Sequence, residues 1–485
     1  MLPTKTVLIK SLGFFTYLDN HFPLVLFSLD RSSIRKREAD KNAISIPEKK
    51  EITTNDNTTT NQALASTIIK LNTEGGSIIL HKYTIENMAK NARTKFRVVF
   101  RAYLCPMIRI GIIGGGQLGM MSIEAKYQSL PLEFTVLEQS IDCPAAAITN
   151  HFVAGSLQNA NDIQTLANQS DVLTWEIEHI NVDALIALEK EGKTIIPKPS
   201  VLKTIQDKGI QKQFFTHNNI PTAPYVLSNI NQITLQQLDQ FPGEKVVLKT
   251  RTGGYDGKGV SIVSKNQLPH ESPFQGDVLI ESFIPNALEI AIIVAIGQDG
   301  EHAVYPAIEM YFNPKSNLVE FLFSPARISP EIEAKAQEIS LKCIQKLNSP
   351  GLFAVELFLT PDNQILVNEI APRPHNSGHH TIEGCYCSQF EQFLRILSGA
   401  PLGDTSLIQP AAMINIVGPE NIAGPYHLHN ENELTANGDV FIHMYRKSET
   451  RPHRKLGHAT VIANTLEELL PKAEVLRSQL QIIAD

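Results

Sequence analysis

Two glutamates in consecutive apolar runs, Glu356 and Glu369, have the residue type and spacing of a metal–phosphate site. The runs cover residues 352–360 and 365–370, and the turn residues 361–363 between them predict a β-hairpin. A hairpin folded about this turn places the two carboxylates opposite each other, where they repel unless one is protonated or a cation binds both. Mg²⁺ often binds one or two carboxylates together with phosphate oxygens, so it is the expected ion. An exposed hairpin with two solvated glutamates is the alternative.

A glycine-rich segment, RTGGYDGKG at residues 251–259, has the composition of a loop that covers phosphates. Four glycines within seven residues, together with Lys258, allow backbone amides to surround phosphate oxygens. The spacing does not fit a Walker loop, and a plain hairpin turn needs fewer glycines.

A second glycine motif, GGGQLG at 114–119, lies between a β-branched run, 108–113, and a helix-compatible segment, 120–129. With a further strand expected at 133–137, this order predicts a βαβ unit whose helix N-terminus can accept an anion. Two interpretations stay open. One is a dinucleotide site with Glu138 as the ribose acceptor, and the other is a tight turn in a Rossmann-like domain that binds something else.

Charged residues elsewhere extend the candidate site. Residues 176–179 (EIEH) follow a buried strand at 171–175, at the end where parallel sheets bind ligands. Four cations between 447 and 455 indicate an anion site on an acidic chain. A solvated loop is the alternative in both cases.

The remaining elements must position these groups. A helical pattern over 200–218 carries Lys203, Lys208 and Lys212. Further elements are expected as strands over 194–197, 245–249, 277–281 and 289–296, helices over 330–347 and 388–397, and a last helix that Thr465 caps.

Composition narrows the class of protein. The 485 residues are 42% apolar and 19% charged, as in a multidomain enzyme, and the net charge of −7 argues against a general nucleic-acid binder. Five cysteines without a CxxC pair favour a reducing, cytoplasmic compartment. No apolar run reaches the ~18 residues of a membrane span. Residues 1–106 are expected to be a dispensable extension, disordered over 49–62, ahead of a true start at Met107.

In their order along the chain, these motifs resemble the ATP-grasp superfamily and, within it, the N5-carboxyaminoimidazole ribonucleotide synthases. The resemblance rests on GGGQLG (114–119), TWEIEH (174–179), RTGGYDGKG (251–259), VELFL (355–359), NEIAPRPHNSGHHT (368–381) and RKLGH (454–458). It implies an α/β fold in three parts: a Rossmann-like pre-ATP-grasp domain over 107–205, a two-lobed ATP-grasp domain over 206–400 with its lid lobe at about 222–282, and a small β-rich domain over 401–485.

The resemblance also implies a reaction. Bicarbonate attacks the γ-phosphate of ATP to give carboxyphosphate, which, or the CO₂ released from it, carboxylates the exocyclic amine of 5-aminoimidazole ribonucleotide in purine synthesis. ADP and phosphate leave. Mg²⁺ is the implied cofactor, and a homodimer without nucleic-acid or membrane partners is the implied state.

Roles for individual residues follow from the same resemblance. Mg²⁺ would bind Glu356 and Glu369. ATP would contact Lys208, Lys249, Gly253, Gly254, Tyr255, Asp256, Gly257, Lys258, Gly259, Glu281, Ser282, Phe283, Ile284, Glu289, Asn368 and Glu369. The ribonucleotide would contact Gln117, Leu118, Glu176, Asn376, Lys447, Arg454 and Lys455. The catalytic groups around bicarbonate and the aminoimidazole would be Tyr255, Asp256, Arg373, His375 and Lys447.

Three other classes of protein share some of these motifs. A formate-dependent glycinamide ribonucleotide transformylase shares RPH and the tail cations, but it usually has glutamate at the position of Gln117 and lacks the Tyr-Asp pair. An NAD(P)-dependent Rossmann oxidoreductase leaves the second glycine loop and the paired glutamates unexplained. A non-catalytic nucleotide-binding module would bind ATP and release no phosphate. One departure from the synthases is Phe312, which stands where some members have a nucleotide-contacting histidine.

Overall fold

The computed structural model describes residues 107–484 except 126–129, 255–258, 271 and 313–318, and it leaves the side chain of Leu235 undescribed. The chain forms two units, Met1–Met107 with Gln128–Pro131, and Ile108–Tyr127 with Leu132–Asp485. Before residue 107 only backbone strands are described: β1 (Lys5–Ile9), β2 (Phe14–Leu18), β3 (Ala43–Ile44), β4 (Lys70–Thr73), β5 (Gly76–Leu80), β6 (Ile85–Met88), β7 (Lys95–Val98) and β8 (Ala102–Cys105). The expected disorder over 49–62 lies outside the described residues.

A parallel five-stranded sheet opens the larger unit and confirms the βαβ prediction. Its strands are β9 (Ile108–Ile113), β10 (Leu132–Glu138), β11 (His151–Ala154), β12 (Val172–Trp175) and β13 (Thr194–Ile195), in the order β11-β10-β9-β12-β13. Its helices are α1 (Gln117–Glu124), α2 (Ala160–Asn168) and α3 (Val182–Lys190). Trp175 pairs with Ile113, so both strands end together and Glu176 follows beside Gly114.

A small antiparallel sheet lies within residues 222–282, the range in which the lid lobe is predicted. It consists of β14 (Tyr225–Asn229), β15 (Lys245–Thr250), β16 (Val260–Ser264) and β17 (Asp277–Ser282), in the order β14-β17-β15-β16, with helix α6 (Leu235–Asp239). Val246 and Leu248 face the apolar core of this lobe. Val247 pairs with Glu281 on the other face, which makes Lys249 the diagonal neighbour of Glu281.

The largest sheet has nine antiparallel strands, which come from residues 288–371 and from residues 411–462. Its path is β23 (Ile365–Ala371), β22 (Gly351–Leu359), β18 (Leu288–Ile296), β20 (Ile308–Phe312), β21 (Val319–Ser324), β24 (Ala411–Val417), β27 (Lys455–Ile462) and β26 (Val440–Met444), with β19 (His302–Val304) paired to β18. The other elements are α7 (Pro330–Gln345), α8 (Thr381–Gly384), α9 (Gln389–Ser398), β25 (Tyr426–Leu428), α10 (Glu431–Leu434), α11 (Leu466–Gln479) and β28 (Ile482–Ala484). None of the described helices has the length and apolar character needed to cross a membrane.

The predicted single helix over 200–218 is wrong, because the chain forms two helices there. They are α4 (Pro199–Gln206) and α5 (Lys208–His217), and Asp207 between them has extended backbone angles. Its carboxylate accepts hydrogen bonds from the amides of Gly209 and Ile210, which caps α5. Lys208 therefore lies in the first turn of a new helix. The strand expected over 194–197 also ends early, at Ile195.

A buried cluster of aromatic rings joins the segment after β23 to β26 and β27. The His458 ring lies 4.7 Å from that of His379 and 4.6 Å from that of His443, measured between centroids. Tyr445 Oη lies 2.9 Å from His458 Nδ1, and His443 Nε2 lies 2.7 Å from Glu383 Oε1. Burial lowers the pKa of His379 and His458 well below the ordinary value, so both rings stay neutral in the folded protein.

The neighbouring His380 makes a test of acid stability possible. Burial lowers its pKa to about 4, whereas the unfolded chain takes up this proton near pH 6.5. A depressed histidine pKa stabilises the fold above pH 6.5, and this contribution falls by about 1.4 kcal/mol per pH unit as pH decreases towards 4. Urea unfolding between pH 7.5 and 4.5 should therefore show a smaller pH slope for His380→Gln than for wild type. Substitution of the exposed His302 is the control, and equal slopes for all three proteins would contradict the assignment.

Candidate active site

The hairpin of β22 and β23 carries the two predicted glutamates opposite each other. Near the turn Leu357 pairs with Val367, a register in which Glu356 would meet Asn368. A bulge follows, and Glu356 pairs with Glu369. The predicted pairing is confirmed, but the uniform register behind it is wrong, because Asn368 is an extra residue that shifts the pairing by one position.

The bulge places two consecutive polar side chains, Asn368 and Glu369, each against a different lysine. Lys249 Nζ, from β15, donates to Asn368 Oδ1 over 2.8 Å. Lys208 Nζ, from the first turn of α5, donates to Glu369 Oε2 over 2.9 Å. Residues 208, 249, 368 and 369, which lie far apart in the sequence, thus form one contact set.

Burial and charge determine which carboxylate holds a proton. Burial, together with the charges of Glu369 and Glu289, raises the pKa of Glu356. The Lys208 ammonium holds the pKa of Glu369 well below its ordinary range despite burial. Burial also raises the pKa of Glu289, at the start of β18, to about 7. Glu356 therefore retains a proton more readily than Glu369, as expected from the repulsion between the two carboxylates.

A second charged cluster lies behind Lys249. Glu281 is 3% exposed, and its carboxylate binds Lys249 Nζ through Oε2 at 2.6 Å. Its other oxygen, Oε1, lies 2.5 Å from Lys212 Nζ. The Glu281 side chain, predicted as part of the adenine hinge, is thus held by two lysines. Sequence reasoning assigned no role to Lys212, whose available signal was its position four residues after Lys208 on one helical face.

The segment after β23 positions the residues predicted for the bicarbonate pocket. Arg373 forms an ion pair with Glu178 of the TWEIEH motif, with Nε 2.8 Å from Oε1 and Nη2 3.0 Å from Oε2. His375 Nδ1 accepts a hydrogen bond from the Ser377 amide, so the ring proton of neutral His375 lies on Nε2. That Nε2 lies 3.5 Å from Glu356 Oε1.

Asn376 and Gln389 complete this segment. Asn376 is 9% exposed, and its Nδ2 is buried with no hydrogen-bond partner among the described residues. Gln389, from α9, accepts from the His375 amide at 2.9 Å and donates to the His375 carbonyl at 2.8 Å. These two bonds fix the backbone of His375 and so position the segment that carries Arg373 and His375.

Two glutamate side chains of this chain bind the backbone amides of the first glycine motif. Glu176 accepts hydrogen bonds from the amides of Gly116 and Gly119, the latter at 2.7 Å, at the N-terminus of α1. A Cβ at Gly116 would lie 2.5 Å from Glu176 Oε1, so the glycine makes room for this carboxylate. Glu138 accepts from the Gly115 amide at 3.1 Å. Both the anion position and the expected ribose acceptor of a dinucleotide site are therefore engaged internally.

The glycine-rich loop joins β15 to β16. Lys249 pairs with Val260, and the Thr250 amide donates to the Gly259 carbonyl over 2.9 Å. Gly253 and Gly259 both have positive φ, at 78°. Gly254 is also among the residues that the structure describes. The predicted contacts of Tyr255, Asp256, Gly257 and Lys258 lie outside the described residues.

The root of this loop is attached to α5. Arg251 binds Asp207 through Nε and Nη2, both at 2.6 Å, and the Lys208 amide donates to the Arg251 carbonyl over 2.9 Å. A Cβ at Gly209 would lie 2.4 Å from Arg251 Nε. This ion pair, which the sequence did not reveal, sets the loop beside Lys208.

The basic C-terminal segment lies against the parallel-sheet domain. Arg446 Nη2 lies 3.0 Å from Glu124 Oε1, at the end of α1. Lys447 Nζ donates to the Lys455 carbonyl over 2.6 Å, and Arg454 Nη1 donates to the Glu449 carbonyl over 2.6 Å. The cations therefore belong to one folded segment and not to a loop without contacts.

Other predicted contact residues occupy neighbouring positions. Gln117 and Leu118 begin α1, and the Leu118 side chain is buried. Ser282 is buried at the end of β17, and Phe283 and Ile284 follow it half-buried. Phe312 ends β20 and is half-buried.

Comparison with known proteins defines the class. The chain matches the ribonucleotide synthetase pre-ATP-grasp domain over residues 107–206, the ATP-grasp domain over 213–390 and the phosphoribosylaminoimidazole carboxylase C-terminal domain over 411–472. With two opposed carboxylates and lysines from two lobes, the fold and site are those of an ATP-grasp ligase.

Individual relatives specify the family. The crystal structure of N5-carboxyaminoimidazole ribonucleotide synthetase from Thermotoga maritima is 38% identical, with a TM-score of 0.71, over 78% of this chain and 100% of that one. An Aspergillus clavatus synthase in complex with ADP and 5-aminoimidazole ribonucleotide is 31% identical, with a TM-score of 0.66, over 77% and 99%. The chain belongs to the N5-carboxyaminoimidazole ribonucleotide synthase family.

A longer relative is the chloroplastic phosphoribosylaminoimidazole carboxylase of Vigna aconitifolia, which is 36% identical over 76% of this chain. The chain spans 66% of the length of that enzyme.

Ligand-dependent melting separates this family from an oxidoreductase. Mg²⁺-ATP should raise the melting temperature, since a ligand at 100 times its Kd adds about 2.7 kcal/mol to stability. NADH and NADPH should leave it unchanged, because Glu176 holds the amides that a pyrophosphate would need. Differential scanning fluorimetry with each nucleotide measures this. Equal stabilisation by NADH would contradict the role given to Glu176.

Proposed function

We propose that this chain carries out the ATP- and bicarbonate-dependent carboxylation of 5-aminoimidazole ribonucleotide, in the purine pathway that leads to IMP. The observation that carries the proposal is the opposed pair Glu356 and Glu369, with Lys208 on one carboxylate and His375 beside the other. A bicarbonate oxygen would attack the γ-phosphorus as the bond to ADP breaks. The amine nitrogen would then form a bond to the carboxyl carbon, the carbon–oxygen bond to phosphate would break, and the amine would lose a proton.

The carboxylates fit Mg²⁺ as the cofactor. Both donors are carboxylates, one is already ionised beside Lys208, and the other lies directly across the hairpin. Mg²⁺ often binds only one or two carboxylates and completes its coordination with phosphate oxygens and water. When bound, Mg²⁺ would neutralise charge on the transferring phosphoryl group.

The lysines and the glycine loop would hold ATP. Lys208 and Lys249 point from two lobes at the hairpin, where phosphates need cations. Residues 253–259 would cover the phosphates and exclude water from the labile carboxyphosphate. Residues 281–284 would contact adenine, and Glu289 would bind the ribose hydroxyls.

The segment after β23 would hold bicarbonate. Arg373, fixed by Glu178, would offer a guanidinium to the oxyanion. The Nδ2 of Asn376, which has no partner in the part of the chain that the structure describes, would donate to it. His375, whose ring proton faces Glu356, would transfer protons within this pocket.

The ribonucleotide would lie between the parallel-sheet domain and the basic segment. Lys447, Arg454 and Lys455 would bind its 5′-phosphate, and Gln117, Leu118 and Glu176 would line the opposite edge. Tyr255 and Asp256 would face the aminoimidazole ring. A cytoplasmic homodimer is the state that we propose for the enzyme.

An omission assay tests the proposed reaction directly. Complete reactions contain ATP, Mg²⁺, bicarbonate and 5-aminoimidazole ribonucleotide, and ADP release is measured with each component left out in turn. We expect ADP release to need Mg²⁺ and bicarbonate, and ¹³C from labelled bicarbonate to appear in the imidazole product. Formate-dependent turnover with glycinamide ribonucleotide, or ATP binding without phosphate release, would contradict the proposal.

Substitution of each glutamate separates charge from fold. Glu356→Gln should reduce kcat at least about 100-fold through loss of a metal ligand. It should leave the melting temperature nearly unchanged, because Glu356 tends to be protonated and glutamine resembles that form. Glu369→Gln should reduce activity similarly and also lower the melting temperature, since Lys208 loses its ion pair. Wild-type activity in Glu356→Gln, at saturating Mg²⁺, would refute the metal assignment.

A further inference from the structure

Lys212 is a buried lysine for which the proposed reaction has no stated use. It lies in α5, is 2% exposed, and shares a helical face with Lys208, four residues earlier. Its Nζ contacts two described oxygens, Glu281 Oε1 at 2.5 Å and Thr222 Oγ1 at 2.6 Å. Burying an ammonium group costs free energy unless the group is paired with an opposite charge, so the ion pair with Glu281 is what allows Lys212 to be buried.

The carboxylate of Glu281 is shared between two cations. Lys212 Nζ forms an ion pair with Glu281 Oε1, and Lys249 Nζ forms one with Glu281 Oε2 at 2.6 Å. The second partner of Lys249 is the neutral carbonyl oxygen of Asn368, at 2.8 Å. Two ammonium groups on one carboxylate leave the cluster with a net positive charge. This excess charge lies next to the hairpin that bears Glu369.

We propose that Lys212 is a positioning residue for the phosphates of a nucleoside di- or triphosphate. By binding one oxygen of Glu281, it prevents that carboxylate from cancelling the charge of Lys249, and it orients the Lys249 ammonium towards Asn368. The inference rests on the proposed ATP site. Lys212 acts through Glu281 and Lys249 and does not itself touch the nucleotide.

The charge balance distinguishes this role from simple packing. Without the charge of Lys212, Glu281 and Lys249 neutralise each other, and the buried cluster loses its excess positive charge. The loss should weaken binding in proportion to the charge of the ligand. ADP carries that charge on its phosphates, whereas adenosine carries none. A packing defect in α5 would instead weaken both ligands together.

Three substitutions at position 212 separate charge from contact. Lys212→Gln keeps hydrogen-bonding groups and removes the charge, Lys212→Met removes both, and Lys212→Arg keeps the charge. Lys212→Gln also covers the case in which Lys212→Met does not fold. Two controls are Lys203→Met, at an exposed lysine in α4, and Thr222→Val, which removes the other partner of Lys212.

The measurement is the pair of dissociation constants for ADP and adenosine, obtained by competition against a fluorescent ATP analogue. In Lys212→Gln and Lys212→Met we expect ADP to bind at least about tenfold more weakly, with adenosine changed less than about twofold. Lys212→Arg should recover most of the ADP affinity, and both controls should keep the wild-type ratio of the two constants. Parallel weakening of ADP and adenosine, or unchanged ADP binding, would overturn the proposal.

This outcome is distinguishable from failure of the proposed function. Wild-type protein that prefers ADP to adenosine but does not carboxylate the ribonucleotide would refute the reaction. In that case the ADP and adenosine dissociation constants of the Lys212 variants would still decide whether the preference for ADP depends on Lys212.

Discussion

Repulsion between two carboxylates on facing strands is the constraint on which the rest of the site depends. Glu356 and Glu369 are neighbours across an antiparallel pair, an arrangement that is unfavourable for two like charges without compensation. The fold supplies compensation from outside the hairpin, with Lys208 from α5 on one carboxylate and His375 near the other. The same arrangement leaves oxygen ligands in place for a divalent ion and for phosphate.

Long-range ion pairs connect the parts of the site. Arg373 pairs with Glu178 of the parallel-sheet domain, Arg251 pairs with Asp207 at the start of α5, and Glu281 lies between Lys212 and Lys249. Each of these carboxylates takes part in holding a basic group near the hairpin. Lys212, Lys249 and Glu281 are buried and the other four side chains are half-buried, so breaking the pairs of Glu281 leaves a charge without water.

Local pattern predicted much of the architecture. The βαβ unit, the apolar strands and the hairpin were all readable, because strand alternation and turn residues are properties of neighbouring positions. The Glu356–Glu369 pairing was predicted correctly although the bulge at Asn368 was not foreseen. The break between α4 and α5 was missed, because a helical pattern continues through Asp207 while its side chain caps a new helix.

The order of the motifs and the chemical types of the ligands were determined by sequence alone: paired carboxylates, two glycine loops, and lysines suited to phosphate. Tertiary structure decided which partner each charge has. Glu176 turned out to hold the glycine-motif amides, and Lys212 to share Glu281 with Lys249. Periodicity reports only the few residues around a position, whereas these contacts join segments tens of residues apart. Their partners are chosen by the packing of whole sheets and helices.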